Sequence, residues 1–241
     1  MKRRLVVIPT YNEAGNIKSL IELLYTSIPE CEVMVVDDGS PDGTGLIIKA
    51  MKDGNARLHL IERPAKSGIG SAYRMAFLWA LEQGFDEVIE MDADGSHQVS
   101  DLLRMMDVKT MNPELDLVIG SRWIKGGKTL NWSRSRELLS RIANRYVRVM
   151  LGMGVHDSTA GFRIYSSQIL RKIDLGHIRS EGYSFQIEMT RAAHKAGAVI
   201  REVPITFKER TNGVSKMSKK IVREAMFLVT VWGLKRVLRV K

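Results

Sequence analysis

Two pairs of aspartates end two mainly apolar segments, and they are the residues of this chain best suited to do chemistry. Asp37 and Asp38 end the first segment, and Asp92 and Asp94 end the second. Because the carboxyl ends of parallel strands meet at one rim of an α/β sheet, we expect both pairs to lie at that rim. Closely spaced carboxylates can hold a hard divalent cation such as Mg²⁺ or Mn²⁺, which in turn holds phosphate. This pattern predicts an enzyme that handles a nucleotide diphosphate through a metal.

The second acidic pair has a plainer interpretation as a solvated turn, since Asp-x-Asp alone is a weak signal. Its position after an apolar segment favours the metal site. Ser96 and His97 lie close enough in the sequence to join the ligands. For His97 we expect the role of a hydrogen-bonding neighbour.

Two loops are candidates for contacts with a nucleotide. In the segment Pro9–Glu13, Tyr11 offers a stacking face and Glu13 an acceptor, while Asn12 could simply cap the following helix. The segment 66–71 contains Gly68 and precedes a helix, whose first N–H groups are able to bind phosphate. It lacks the P-loop spacing, and a glycine turn into a helix explains it equally well.

Arginines are concentrated between residues 122 and 148. Arg122 follows the fifth predicted strand and Arg136 opens the next helix, so a phosphate role is favoured for both. The arginines at 141, 145 and 148 form one stripe beside an apolar face, for which a solvated helix surface is an equally good explanation.

The last segment reads as a basic amphipathic helix. Ten uncharged residues, Ala225–Leu234, include Trp232 and have lysines and arginines on both sides. Ten residues are too few to cross a bilayer, which needs about 20. The composition favours a helix at the membrane interface, with packing onto the core as the alternative.

These residues must be positioned by an α/β domain. Hydrophobic periodicity predicts five strands that alternate with helices in the first half of the chain, which indicates a mostly parallel, doubly wound sheet. The second half contains long helices at 135–150, 184–196 and 216–237 and a strand at 199–207. We expect a catalytic domain over residues 1–210 and a basic interfacial segment over 211–241.

Charge is unevenly distributed along the 241 residues. Residues 1–119 carry 12 basic and 19 acidic side chains, whereas residues 201–241 carry 11 and 3. The acidic half suits a metal site and the basic half suits an anionic partner, whether phosphate ligand, membrane or nucleic acid. The single cysteine, Cys31, excludes an internal disulfide and favours a reducing compartment.

Taken together, the motifs resemble those of the dolichyl- or polyprenyl-phosphate mannosyltransferases, within the large inverting glycosyltransferase family 2 with the Rossmann-like GT-A fold. The resemblance covers nearly the whole chain. Its motifs are Pro9–Glu13, Val36–Asp42, Met91–His97, Gly120–Arg122 with Lys125–Gly127, Asn131-Trp132, Arg136, Asp157–Phe162 and Arg210–Lys216.

The resemblance implies transfer of mannose from GDP-mannose to a polyprenyl phosphate with Mg²⁺ or Mn²⁺. The metal ligands it implies are Asp92 and Asp94, with Ser96 third. Nucleotide contacts are expected from the loop residues, namely Pro9, Tyr11, Glu13, Asp38, Lys66, Gly68 and Ala93. The acceptor phosphate is expected at Arg122, Arg136, Arg210, Ser215 and Lys216.

Many members of the resembled family continue into transmembrane helices, whereas this chain has one interfacial candidate. We therefore expect a peripheral protein on the cytoplasmic side of a membrane, with or without a membrane-protein partner. Three alternatives stay open: the same fold using UDP-glucose, a basic nucleic-acid-binding module, and a silent scaffold. The chain shows no nucleic-acid-binding motif, and its intact aspartates argue against the scaffold.

Overall fold

The computed structural model describes residues 2–209 and 219–238. The strands are β1 (Arg4–Thr10), β2 (Glu32–Asp37), β3 (Leu58–Glu62), β4 (Glu87–Glu90), β5 (Leu117–Ser121), β6 (Lys128–Leu130), β7 (Arg163–Ser166), β8 (Ile200–Pro204) and β9 (Thr206–Lys208). Seven of them form one sheet in the order β3-β2-β1-β4-β7-β5-β8, and β6 pairs with β9 separately. Strand order reverses between β1 and β4, which is where ligands bind in doubly wound sheets.

Helices cover both faces of this sheet. They are α1 (Ile17–Ser27), α2 (Thr44–Lys52), α3 (Ile69–Glu82), α4 (Val99–Met111), α5 (Arg134–Leu151), α6 (Ser167–Lys172), α7 (Gly182–Lys195) and α8 (Lys219–Val237). One apolar core lies between the sheet and α1, α2 and α4. A second core lies between the sheet and α3, α6 and α7. The predicted doubly wound α/β architecture is confirmed.

The sheet departs from the predicted pattern at β7. This strand is antiparallel to both β4 and β5 and separates them. The strand predicted at 199–207 is in fact two, because the chain leaves the main sheet after Pro204 and pairs with β6. Helix α1 also starts later than predicted. Asn12 has a left-handed backbone (φ 61°) and is not the cap of α1.

Helix α8 lies beside α5 and runs in the same direction. The Tyr146 hydroxyl and the Thr230 hydroxyl are 2.7 Å apart, and Val229 packs with Val147 and Leu151. The described part of the C-terminal helix therefore packs on the body through one face. Within residues 2–209 and 219–238 no helix combines the length and the apolar character needed to span a bilayer.

Candidate active site

A cleft of about 420 Å³ opens at the carboxyl ends of β1 and β4. The structure brings most of the sequence-predicted site residues into its wall. Those residues are Pro9, Tyr11, Glu13, Asp38, Lys66, Gly68, Asp92, Ala93, Asp94, Arg122 and Arg136. The predictions for Arg210, Ser215 and Lys216 lie outside the described residues.

The loop after β2 holds the loop after β1 in place. Ser40, Thr44 and Asp42 accept hydrogen bonds of 3.0 Å from the backbone N–H groups of residues 12–14. These bonds fix the backbone that carries Tyr11 and Glu13, so both side chains are presented to the cleft by a braced loop.

The first acidic pair divides between two environments. Asp37 is buried and accepts a bond of 2.8 Å from the Thr10 hydroxyl, which makes it part of the turn rather than of the cleft. Asp38 lines the cleft and is paired with the buried guanidinium of Arg63. Arg63 also donates to the Gly68 carbonyl oxygen at 2.8 Å. Arg63 could not be predicted from the sequence, because its partners come from separate segments.

The second acidic pair stands where a cation could be held. Asp94 is nearly buried, and its Oδ1 accepts the backbone N–H of Ser96 at 3.0 Å. The Ser96 hydroxyl is buried and has no hydrogen-bond partner within the described chain. No three His, Cys, Asp or Glu side chains are grouped around a metal position in the described ranges. Two carboxylates and a hydroxyl fit Mg²⁺ or Mn²⁺, which commonly complete their shell with water and substrate phosphate.

His97 positions this acidic segment. Its Nδ1 accepts the backbone N–H of Asp92 at 3.0 Å, and its ring stacks on Phe162 with centroids 4.5 Å apart. Burial lowers the pKa of His97 to about 4, although the charge of Asp94 opposes this shift. The imidazole is therefore neutral near pH 7 and carries its proton on Nε2, in agreement with the neighbour role predicted for it.

A carboxylate occupies the start of α3, where the sequence suggested a phosphate loop. Glu181 accepts the backbone N–H groups of Gly70 at 2.7 Å and Ser71 at 3.0 Å. A Cβ at Gly68 would lie 2.3 Å from Glu181 Oε2, so the glycine makes room for this side chain. The N–H donors expected for phosphate are thus already used, and the simple glycine turn is the better description of this segment. Lys66 instead places its ammonium group 4.5 Å from the ring centroid of Tyr11.

Arg122 is buried at the far wall of the cleft. Its Nε and Nη2 each donate to Asp157 at 2.7 Å, and Nη2 also donates to the Thr159 hydroxyl. The charge of Asp157 raises the pKa of Arg122 against the effect of burial. The guanidinium is consequently fixed in place and charged at any ordinary pH.

Aromatic rings surround the basic side of the cleft. The guanidinium of Arg136 lies 4.0 Å from the ring centroid of Trp132 and forms an ion pair with Glu209. Arg122 lies 5.4 Å from the ring centroids of both Trp132 and Phe207. Trp132 was predicted only as part of the motif Asn131-Trp132, and Phe207 was not predicted. The feature of the sequence that could have indicated these aromatic rings is the alternation of arginine with tryptophan.

A buried amide was also missed by sequence reasoning. Gln186 lines the cleft, and its Nε2 donates to Glu90 Oε2 at 2.8 Å. Its Oε1 is buried and has no partner within the described part of the chain. An acceptor in that position can be satisfied by a hydroxyl group of a ligand.

Fold and site together define a class, that of doubly wound α/β proteins with a polar cleft at the switch point of the sheet, where nucleotides bind. Residues 5–174 match the family described as glycosyl transferase family 2. The chain belongs to this family.

Two relatives align over almost the whole chain. The polyprenol monophosphomannose synthase of Mycolicibacterium smegmatis is 47% identical over 97% of this chain and 88% of its own length. The undecaprenyl-phosphate mannosyltransferase of Micrococcus luteus is 48% identical over 96% of this chain and 94% of its own length. Among solved structures, glucosyl-3-phosphoglycerate synthase from Mycobacterium tuberculosis, in complex with Mn²⁺, UDP-glucose and phosphoglyceric acid, superposes with a TM-score of 0.70 at 18% identity, covering 96% and 80%. The last likeness confirms the fold.

Proposed function

We propose that this protein transfers mannose from GDP-mannose to a polyprenyl phosphate with inversion, giving polyprenyl-phosphate-mannose and GDP. The observation that carries the proposal is the cleft, which has carboxylates on one wall and fixed arginines with tryptophan on the other. Support for the acceptor and the sugar comes from the names of the two relatives.

On the acidic wall, Asp92 and Asp94 would hold Mg²⁺ or Mn²⁺, with Ser96 as a third ligand. Such a cation, when bound, neutralises negative charge on the departing diphosphate. Support for a divalent cation comes from the buried Ser96 hydroxyl and from the Mn²⁺ named in the solved glucosyl-3-phosphoglycerate synthase complexes. Pro9, Tyr11, Glu13, Asp38, Lys66, Gly68 and Ala93 would bind the nucleotide.

On the basic wall, Arg122 and Arg136 would bind the acceptor phosphate, together with Arg210, Ser215 and Lys216. A phosphate monoester has a second pKa of about 6, so its attacking oxygen is already ionised near neutral pH. That oxygen attacks C1 of mannose as the bond from C1 to the GDP oxygen breaks, and no strong general base is needed. Because Asp157 fixes Arg122, the guanidinium can orient the phosphate without moving toward it.

The acceptor is a lipid, so the enzyme must work at a membrane surface. Leu138, Ile142 and Val149 of α5 are exposed between arginines, and Phe227 of α8 is exposed as well. These features support peripheral attachment to an anionic leaflet through α5 and α8. We place the protein on the cytoplasmic side, alone or with a membrane-protein partner.

The test is to incubate the protein with labelled GDP-mannose or labelled UDP-glucose, a polyprenyl phosphate and Mn²⁺, and to extract the lipid. Label in the lipid from GDP-mannose alone is the expected result. Label from UDP-glucose alone would replace the donor assignment and keep the reaction type. Tight binding of duplex DNA or RNA with no donor turnover would overturn the proposal in favour of a nucleic-acid-binding module.

A further inference from the structure

A second cavity, of about 520 Å³, lies where the C-terminal ends of α5, α7 and α8 meet. Its wall combines the apolar end of α5 and Trp232 with the basic side chains of Arg191, Lys195, Lys235 and Arg236. None of the described residues that line it is acidic. Along α7 the nearest lining residues of the cleft and the cavity, Gln186 and Arg191, are about 7.5 Å apart at a rise of about 1.5 Å per residue. The two share no lining residue, so the cavity is a separate site.

The cations of this cavity act on one another. The charge of Arg191 is the main cause that lowers the pKa of Lys195, and Lys235 adds to it. The guanidinium of Arg191 lies 5.0 Å from the ring centroid of Trp232. Glu188, the carboxylate that acts on Arg191, accepts the backbone N–H of Ser180 at 3.0 Å. A bound anion would relieve the repulsion between the basic groups.

The cavity borders an exposed apolar stripe. With about 3.6 residues per turn, Phe227 and Leu234 share one face of α8, and Leu238, just past the end of the helix, continues that face. Lys235, next to this face, is part of the cavity wall. All three apolar side chains are more than half exposed, at 68%, 53% and 69%. A bilayer that received this stripe would bring its head groups to the mouth of the cavity.

From this arrangement we propose that the cavity binds the phosphate head group of an anionic phospholipid when α8 lies on a membrane. The apolar floor and the neighbouring stripe suit an amphiphile, whose chains would extend along α8 while its phosphate meets Arg191, Lys195 and Lys235. The site is distinct from the acceptor position in the cleft and does not depend on which sugar is transferred.

The test uses the full chain and a matched pair of variants. Lys195→Gln/Lys235→Gln removes two exposed cavity lysines, and Lys18→Gln/Lys52→Gln removes two exposed lysines of α1 and α2 with the same change in net charge. Binding is measured by sedimentation with vesicles of phosphatidylcholine alone or mixed with phosphatidylglycerol. One lysine near an anionic surface contributes roughly a fivefold factor, so the cavity variant should bind mixed vesicles about twentyfold more weakly. Equal losses in both variants, or none, would overturn the proposal.

A second measurement separates a lipid head group from free phosphate. The protein is treated with a small acetylating reagent in the presence of mixed vesicles, inorganic phosphate or neither. Mass spectrometry then measures the extent of acetylation at Lys195 and Lys235. Protection by vesicles alone is the expected result. Equal protection by inorganic phosphate would overturn the lipid assignment, and so would full reactivity of both lysines on the vesicles.

Discussion

Asp94 is the side chain on which the proposed chemistry depends most directly. Its neighbour Ser96 keeps a buried hydroxyl without a partner in the described chain, and the Asp94 carboxylate accepts the Ser96 N–H. Asp94→Asn keeps an acceptor for that N–H and removes the charge. We expect turnover to fall about a hundredfold or more, since a cation contributes several kcal/mol to the transition state. The melting temperature should stay the same.

The control for this substitution is Asp107→Asn on the exposed side of α4, which should leave turnover unchanged. Chelation of divalent cations should reduce the natural protein to the level of the Asp94 variant. Full activity of Asp94→Asn with added Mg²⁺ or Mn²⁺ would remove Asp94 from the metal site.

Glu90 makes stability depend on pH beneath the site. Burial raises the pKa of Glu90 from 4.5 to about 8, against the opposing charge of Arg163. The folded protein therefore holds a proton that the unfolded chain has released, and stability falls as pH rises between these values. His97, whose pKa burial lowers from 6.5 to about 4, acts in the opposite direction only below pH 6.5.

We therefore expect the melting temperature to fall between pH 6.5 and 8, and to fall less in Glu90→Gln, which keeps an acceptor for the Gln186 amide. Thermal unfolding of both proteins across this range is the measurement. Identical slopes would show that Glu90 does not change its protonation in that window.

The sequence alone predicts the acidic side of the cleft, but it does not show which aspartate lines the cleft and which has a structural role. Asp37 ends β2 and Asp38 follows it, and only the structure shows that Asp37 is part of a turn while Asp38 pairs with Arg63. Glu181 illustrates the same limit, because its partners Gly70 and Ser71 are over a hundred residues away in the chain. Long-range pairing of polar groups leaves no periodic signal.

At the scale of elements, the contact between α3 and the loop before α7 sets one wall of the cleft. A Cβ at Gly70 would lie 2.5 Å from the Ser180 carbonyl oxygen and 3.0 Å from the Phe185 ring. Alanine is normally the better helix former, but here overpacking should dominate and destabilise the fold by about 1–3 kcal/mol. Urea unfolding of Gly70→Ala measures this cost.

Gly15→Ala is the matched substitution, since a Cβ there meets nothing within 4 Å. It should leave the unfolding free energy nearly unchanged. If Gly70→Ala were equally neutral, the close approach of α3 to the loop before α7 would not be needed for stability.

Hydrophobic periodicity predicted the strands and helices wherever these elements are long and regular. The strand β7 was missed because it has four residues and contains the fully buried Arg163, whose guanidinium donates to the carbonyl oxygens of Ser158 and Ala160. A charged residue at a core position contradicts the apolar pattern of a buried strand. Strands β8 and β9 were joined in the prediction because Ile205, between them, is apolar and buried like their neighbours.

Over the whole molecule, the acidic and the basic parts of the sequence form different structural elements. The acidic first half builds β1 to β4 and the carboxylate wall of the cleft, whereas the basic second half supplies α5, α8 and the arginines of the cleft. The basic side chains of α5 and α8 would be attracted to an anionic membrane, whereas the acidic side chains of the first half would be repelled by it. This polarity would orient the cleft toward its lipid acceptor before any specific contact forms.

The exposed arginines of α5 provide the test of this orientation. Arg145→Gln/Arg148→Gln should raise the KM for polyprenyl phosphate in anionic vesicles by up to about twentyfold, because each basic residue at such a surface contributes roughly 1 kcal/mol. The KM for a short, water-soluble acceptor phosphate should not change, and salt should reduce the difference by screening. Lys18→Gln/Lys52→Gln, with the same loss of charge, should behave like the natural protein. A matching rise in KM for the soluble acceptor would assign these arginines to substrate binding instead, and an equal effect of the lysine variant would reduce the result to net charge alone.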